Sequence, residues 1–315
     1  MMRMNKYIYW CKGWLLLALL PFCTSLALAQ DQGEKAPEKW YHKVGKWVQG
    51  EPWSWQGALP MTHTKYLVQW EGMGVLDEYL SPIAHNGMAG RASFLTDFAS
   101  PREQCWHIYQ DLSLYLAQLK NKSNGTSMYS LGMDYAVGPS WRVLQHKGLS
   151  LDLAPLLALE VGGHLKSSNT NNLGSLKAHF GLDGWGRVRY QIPWHVLPLS
   201  ISYSAQIPLV MGFFHPEYGQ SYYDYISGDN GAKIAIHFGS FHNTIGIKQR
   251  LLIDLPIHNL TLTLGAEHRH FAQTVNHTTY KSGSWGFVIG ISVDSFKLSG
   301  GRAVASSNLL SRYRE

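Results

Sequence analysis

Large apolar side chains occupy every second position in residues 285–294, from Trp285 to Val293. Glycine, serine and aspartate fill most of the positions between them. Because side chains in a β-strand point alternately to opposite faces, this segment has one apolar face and one small or polar face. The pattern predicts the last strand of a β-barrel whose apolar face contacts lipid.

The first 29 residues predict a cleaved secretory signal peptide. Three basic residues precede an apolar segment at residues 15–22, and Ala27-Leu28-Ala29 has the small-residue pattern of a cleavage site. The apolar segment is shorter than the roughly 20 residues that a membrane-spanning helix needs. The Trp-rich residues 30–61 have no regular period and are predicted to form an irregular periplasmic arm.

Removal of the signal peptide changes the charge and the cysteine content. The net charge of +6 falls to +3, because Arg3, Lys6 and Lys12 leave with it. Without a basic run, so small an excess gives no reason to expect a nucleic-acid partner. Cys105 is the one cysteine left, so a mature monomer cannot form an internal disulfide.

The chain from residue 62 to 298 has the pattern of successive strands separated by turn residues, followed by a polar tail at 299–315. Short and long connections are expected to alternate, as in barrels with short periplasmic turns and longer outer loops. The expected long connections are 74–86, 121–126, 167–173, 214–242 and 274–283; the short ones are 100–103, 144–148, 192–195 and 256–259. This predicts ten strands, or twelve if residues 231–241 contribute a strand, with both termini on the periplasmic side.

A soluble β-sandwich has the same apolar and polar alternation, so strand length and aromatic positions decide between the two. Sandwich strands usually have about 5–6 residues, whereas membrane-spanning strands have about 9–11. The predicted strands are long, and tryptophans recur near their ends, as in an interfacial girdle. These tryptophans are Trp70, Trp106, Trp141, Trp194 and Trp285. We therefore predict an all-β fold, a closed antiparallel transmembrane β-barrel.

The polar face of each predicted strand would line the lumen of this barrel. The predicted lumen-lining residues are Asp111, Asp134, Lys177, His179, Asp183, Arg187, Arg189, Lys248, Arg250, Asp254, Glu267 and Arg269. Narrow barrels are generally filled by their own side chains, which predicts a self-neutralising interior. A narrow permeation path lined by fixed charges is the alternative.

Candidate catalytic and metal-binding residues are few. His179 and Asp183 lie four positions apart on one strand, about 13 Å, which is too far for a hydrogen bond. A hydrolase would need a serine, a histidine and an acid from several strands. His268 and His270 share the apolar face and are expected at the membrane interface. No metal and no cofactor is predicted.

A tyrosine-rich segment forms the longest polar interruption of the strand pattern, at residues 215–230. Tyrosine provides a large contact area at a low entropic cost, which favours a surface recognition role for this segment. The residues concerned are Tyr218, Tyr222, Tyr223 and Tyr225. An ordinary surface loop is the alternative.

Three short strings carry a resemblance to a known group of proteins: Tyr79-Leu80-Ser81-Pro82, Ser240-Phe241-His242-Asn243 and Ile253-Asp254-Leu255-Pro256. With these, the chain resembles the uncharacterised (domain-of-unknown-function) outer-membrane barrel families of Bacteroidetes-type bacteria, over residues 62–298. The resemblance implies a secreted barrel-forming protein and brings no catalytic residues. Such barrels usually end on an aromatic residue; Phe296 would be that residue here, but a polar tail follows it.

The sequence therefore predicts an integral outer-membrane barrel with outer-membrane lipid as its partner. Its expected role is envelope structure or permeation of a small solute. Two alternatives remain, a barrel enzyme that hydrolyses lipid or peptide and a secreted soluble β-sandwich that binds a ligand.

Overall fold

The computed structural model describes residues 61–99, 106–166, 173–192, 199–216, 235–257 and 260–296. The predicted signal peptide, the arm up to residue 60, the C-terminal tail and the four tyrosines of the 215–230 segment lie outside these ranges. Within them, no helix has both the length and the apolar character needed to cross a membrane.

Eleven antiparallel strands are formed by the described residues. They are β1 (Met61–Asp77), β2 (Ser81–Ala99), β3 (Trp106–Lys120), β4 (Ser127–His146), β5 (Leu149–Leu165), β6 (Gly174–Gln191), β7 (Ser200–Phe214), β8 (Ile236–Ser240), β9 (Thr244–Ile257), β10 (Leu260–Val275) and β11 (Thr278–Phe296). From β1 to β7 each strand pairs with the next one in sequence, β7 also pairs with β8 and β9, and β9, β10 and β11 pair in order. β1 pairs with β11 along its full length. This last pairing closes the sheet into a ring.

The wall of the barrel is ten strands around, because β8 and β9 together occupy the place of one strand. β7 pairs with β9 from Ser200 to Gln206 and with β8 from Val210 to Phe214. The two strands are thus two parts of one interrupted strand, separated by a turn at residues 241–243. The predicted closed antiparallel barrel of ten strands is confirmed. The alternative count of twelve is wrong, because residues 236–240 add no further position to the wall.

The β-sandwich alternative is also wrong, since the described strands form a single sheet that closes on itself. The apolar side chains that such a core would need lie on the outside of the barrel. Leu114, Leu131, Leu157 and Ile289 are exposed by 46%, 49%, 52% and 56%. Within β11, by contrast, Val288 faces inward and is buried.

Two predicted long connections are short in the structure. Residues 78–80 join β1 to β2, and residues 276–277 join β10 to β11. Asn276 and His277 both have positive φ angles, of 51° and 60°, as the tightest hairpin turns require. The sequence suggested loops because these strands extend beyond the part of the barrel whose outer surface is apolar. There they carry polar outward side chains such as His270 and Lys281, so the apolar alternation is lost.

Pro155 lies in the middle of β5, as the sequence indicated, and interrupts the ladder on one side only. The β4–β5 pairs run from Val137 opposite Leu157 to Trp141 opposite Leu153, with no pair between them. On the other side, Pro155 pairs in register with β6. A proline has no N–H to donate, so it is tolerated where the neighbouring ladder is already broken.

Gly286 gives a test of how closely the wall strands approach one another. A Cβ atom at Gly286 would lie 2.4 Å from the backbone oxygen of Trp70 and 2.5 Å from the Cβ of Glu71. We expect Gly286→Ala to destabilise the folded barrel by about 1–3 kcal/mol, the usual cost of overpacking. Urea unfolding in detergent micelles or lipid vesicles measures this difference.

Gly90 provides the matched control, because a Cβ atom there would meet nothing within 4 Å. Gly90→Ala should leave the unfolding midpoint unchanged or raise it slightly. Equal midpoints for the two variants would show that the strands do not approach each other closely at Gly286.

Candidate functional site

The interior of the barrel is built in five layers, which can be followed along the inward side chains of β1. Lys65 lies nearest the terminal end, the end where β1 begins and β11 finishes. Leu67, Glu71, Met73 and Asp77 follow in that order toward the opposite, distal end, and all are buried. Polar and apolar layers therefore alternate along the lumen.

The middle layer is a ring of ion pairs, here called the central belt. Its members are four acids and four bases: Glu71, Asp111, Asp134, Glu267, Arg91, Lys248, Arg250 and Arg269. Equal numbers of opposite charges make the belt electrically neutral. A buried charge is tolerated when it is paired and hydrogen-bonded, and every member of the belt has such a partner.

The belt is continuous from strand to strand. Arg91 lies 3.0 Å from Glu71 and 2.9 Å from Asp134. Arg269 then connects Asp134 to Glu267. Since β1, β2, β4 and β10 supply these five residues, one network ties distant parts of the wall together.

The same network continues toward β3 and β9. Arg250 lies 2.5 Å from Glu267 and 3.2 Å from Asp111. Lys248 lies 2.6 Å from the same Asp111 carboxylate. Asp111 and Glu267 therefore each contact two cations.

Apolar layers lie on both sides of the belt. The lower apolar layer, toward the terminal end, consists of Leu67, Leu95, Tyr109, Ala136, Ala154, Leu156, Trp185, Leu252 and Val288. The upper apolar layer consists of Met73, Val75, Tyr79, Leu80, Ala89, Tyr115, Ala117, Leu119, Met128 and Tyr280. In the lower layer, the rings of Tyr109 and Trp185 stack with centroids 4.3 Å apart.

The terminal cluster of charges lies below the lower apolar layer. Arg187 bonds Asp97 at 2.8 Å and Asp152 at 2.9 Å, and Lys65 bonds Asp254 at 2.5 Å. Arg142 also bonds Asp152, at 3.1 Å. Arg189 belongs to the same cluster, but its buried Nε has no hydrogen-bond partner among the described residues.

A distal polar group lies beyond the upper apolar layer. Lys177 bonds Asp77 at 3.1 Å, and the side chain of His164 lies 3.3 Å from the Tyr280 hydroxyl. His215, just past the end of β7, lies 2.6 Å from the hydroxyl of Thr278. Burial lowers the pKa of His215 to about 4, so this ring is neutral at neutral pH.

A cavity of about 130 Å³ lies between the central belt and the upper apolar layer. Two carboxylates on its wall are not paired with a lysine or arginine of the described residues. Glu160 bonds the Nε2 of His179 at 3.0 Å, and Asp183 accepts a hydrogen bond from Gln206 at 2.7 Å. The cavity adjoins Pro208, where β7 leaves β9 and begins to pair with β8.

The predicted lumen-lining residues all lie on the inward faces of their strands. Six of them belong to the central belt: Asp111, Asp134, Lys248, Arg250, Glu267 and Arg269. Arg187, Arg189 and Asp254 lie in the terminal cluster, His179 and Asp183 line the larger cavity, and Lys177 lies in the distal group.

Lys65 and Glu71 also lie in the lumen, although they were not among the predicted lumen-lining residues. A signal was present, since inward Lys65, Leu67 and Glu71 alternate with outward Tyr66, Val68 and Trp70 in the sequence. The same alternation of inward and outward side chains is clearer in β11.

His179 and Asp183 have different hydrogen-bond partners in the structure, Glu160 and Gln206. His268 and His270 point outward from β10. Within the described ranges, no group of three or more histidine, cysteine, aspartate or glutamate side chains could hold a metal ion.

One serine–histidine–aspartate arrangement occurs at the terminal end. Ser292 Oγ lies 3.0 Å from His63 Nε2, and His63 Nδ1 lies 2.5 Å from Asp294. The same Oγ is also 3.5 Å from Nδ1, so it lies beside the ring and not along the Nε2 lone pair. Ser292 is buried, and it does not line the 130 Å³ cavity described above.

Residues 57–302 match the family described as "Protein of unknown function (DUF3316)". The chain belongs to this family. No match was found among curated proteins.

Several solved barrel structures are similar to the chain at low identity. The transport unit of the autotransporter AIDA-I from Escherichia coli has 9% identity, a TM-score of 0.42, and coverage of 82% of this chain and 97% of that one. The outer membrane protease OmpT from Escherichia coli has 6% identity, a TM-score of 0.44, and coverage of 78% and 99%. Ail, the attachment invasion locus protein of Yersinia pestis, has 10% identity, a TM-score of 0.27, and coverage of 73% and 97%.

Proposed function

We propose that this DUF3316 protein is an integral outer-membrane barrel that acts as a closed structural element of the envelope. The observation that carries the proposal is the alternation of layers in the lumen. Two apolar layers lie on either side of a neutral, fully paired belt, so the interior is filled by the protein's own side chains. The apolar outer surface supports insertion into lipid, because only a closed barrel or a helix satisfies its backbone there.

Cell fractionation tests the location. The protein should be recovered with the outer membrane and should need detergent for extraction. Recovery in the aqueous phase without detergent would contradict insertion in the membrane, whatever the lumen contains. A Bacteroidetes-type bacterial origin and a recognition role for Tyr218, Tyr222, Tyr223 and Tyr225 remain part of the proposal.

Planar-bilayer recording tests the closed lumen. The refolded protein should give no steady single-channel steps, because ions would have to cross the stacked Tyr109 and Trp185 rings and the paired belt. A general porin inserted under the same conditions serves as the positive control. Stable, reproducible conductance steps would instead favour permeation of a small solute, the second role predicted from the sequence.

A hydrolase is the second candidate, favoured by the contacts among Ser292, His63 and Asp294. It ranks below the structural role because Ser292 is buried and the hydroxyl lies beside the imidazole ring. We expect no turnover of phospholipid or peptide substrates by the refolded protein. Turnover that is present in the native protein and lost in Ser292→Ala would favour the enzyme.

A further inference from the structure

A second, smaller cavity in the lumen lies between the terminal cluster and the lower apolar layer. Its volume is about 20 Å³, enough for one water-sized occupant, since a single water needs roughly 10–15 Å³ by such a measure. Lys65, Arg187, Arg189 and Arg250 contribute four cations to its lining. Asp97 is the one carboxylate that lines it.

The acids around this cavity are already occupied by other cations. Asp97 and Asp152 bond Arg187. Asp254 bonds Lys65 at 2.5 Å and also accepts from the hydroxyl of Thr263 at 2.8 Å. Among the described residues of the terminal cluster, Arg189 is therefore the cation in excess.

Two residues that line the cavity each have one buried guanidinium nitrogen without a hydrogen-bond partner among the described residues. These nitrogens are the Nε of Arg189 and the Nη2 of Arg250, although Arg250 uses its Nε and Nη1 on Glu267 and Asp111. A buried donor without an acceptor is costly, and native proteins satisfy nearly all such groups. Both donors therefore point to an acceptor that the described residues do not supply.

The pairing of β6 with β7 explains how the 20 Å³ cavity arises. Arg189 of β6 lies directly opposite Ser202 of β7, and Arg187 lies opposite Ser204. Both serines line the cavity, and their short side chains leave room beside the long arginines. Their hydroxyls add two further groups able to donate a hydrogen bond.

We propose that this cavity binds one small monovalent anion of about the size of chloride, held by Arg189, Arg250 and the hydroxyls of Ser202 and Ser204. An anion accepts hydrogen bonds only and offsets the excess positive charge. A water molecule would bring two hydrogens of its own to a site that already presents donors. The volume is too small for the tetrahedral oxyanions sulfate and phosphate.

Bromide is the probe that locates the site. In crystals of the folded protein grown in sodium bromide, anomalous scattering at the bromine edge should give a peak within hydrogen-bond distance of Arg189 and Arg250. The absence of a peak there would overturn the proposal and leave water as the occupant.

Chloride-dependent unfolding tests the site in solution. At constant ionic strength, with gluconate as the larger replacement anion, the urea midpoint of the native protein should rise with chloride concentration and then saturate. This rise should be lost in Arg189→Gln, which removes the unpartnered cation, and in Ser204→Val, which fills the cavity and keeps every charge.

Arg142→Gln is the matched control, because Arg142 is in the same terminal cluster and does not line the cavity. This variant should keep the full chloride-dependent rise. A rise that persists in Arg189→Gln, or that disappears equally in Arg142→Gln, would show that chloride acts elsewhere and would overturn the proposal.

Discussion

Glu267→Gln is expected to lower the free energy of unfolding by about 3–5 kcal/mol, the usual cost of removing one partner from a buried ion pair. Glu267 is 1% exposed and accepts hydrogen bonds from Arg250, Arg269 and Gln69. Glutamine keeps the shape of the side chain and removes its charge, so two buried guanidinium groups lose their shared counter-ion. Urea unfolding of the protein folded into lipid vesicles measures the loss.

Asp294→Asn is the matched control for this experiment. Asp294 also belongs to an ion pair, with His63, but its side chain is 52% exposed at the terminal end. Its loss should cost less than about 1 kcal/mol, as is usual for an exposed pair. If Glu267→Gln were as mild as the control, the central belt would contribute little to the stability of the barrel.

A double variant separates the pair from the rest of the belt. Replacing Arg250 by methionine in the Glu267→Gln background removes one of the cations left without a counter-ion. The double variant should therefore be less destabilised than the sum of the two single variants, because the residues interact directly. Strict additivity would argue against the contact between them.

Leu264→Arg is expected to destabilise the folded barrel by about 2–4 kcal/mol, the cost of an arginine on the lipid face near the bilayer midplane. Leu264 lies on the outer face of β10, in register with Ile289 of β11 and Ile253 of β9. All three side chains are exposed on the outer surface. Unfolding in vesicles, compared with the native protein, measures the effect.

His270→Arg is the control on the same strand and the same face. It lies six residues from Leu264, about 20 Å along an extended strand, in the part of β10 whose outward side chains are polar. There an arginine should cost about 0–1 kcal/mol. Equal, small effects at both positions would mean that the apolar band does not contact hydrocarbon.

The strand pattern was predictable wherever apolar and polar side chains alternate without interruption. β3 and β11 are examples, and Asp111, which was assigned to the lumen from the alternation in β3, does lie inside the barrel. The prediction was wrong at residues 74–86 and 274–283, which form strand ends and tight turns. The outward residues of 274–283, such as Thr274 and Lys281, are polar, and those of 74–86 include small ones such as Gly74 and Ala84. Neither segment therefore has the contrast between two faces that indicates a strand.

The interrupted strand formed by β8 and β9 could not be recognised from the sequence. Its two parts contact the same neighbour, β7, and the change from one part to the other occurs near Pro208. Nothing local distinguishes this arrangement from two separate strands. The two interior cavities were likewise unpredictable, because each depends on side chains from six or more strands.

The sequence alone determined which face of each strand is apolar, because the two-residue period of a strand is a local property. Only the tertiary structure decided which charges meet inside the barrel. Lys65 and Asp254 are 189 positions apart, and Arg269 and Asp134 are 135 positions apart. Such partners are brought together by closure of the ring and by strand register, and these depend on the whole barrel at once.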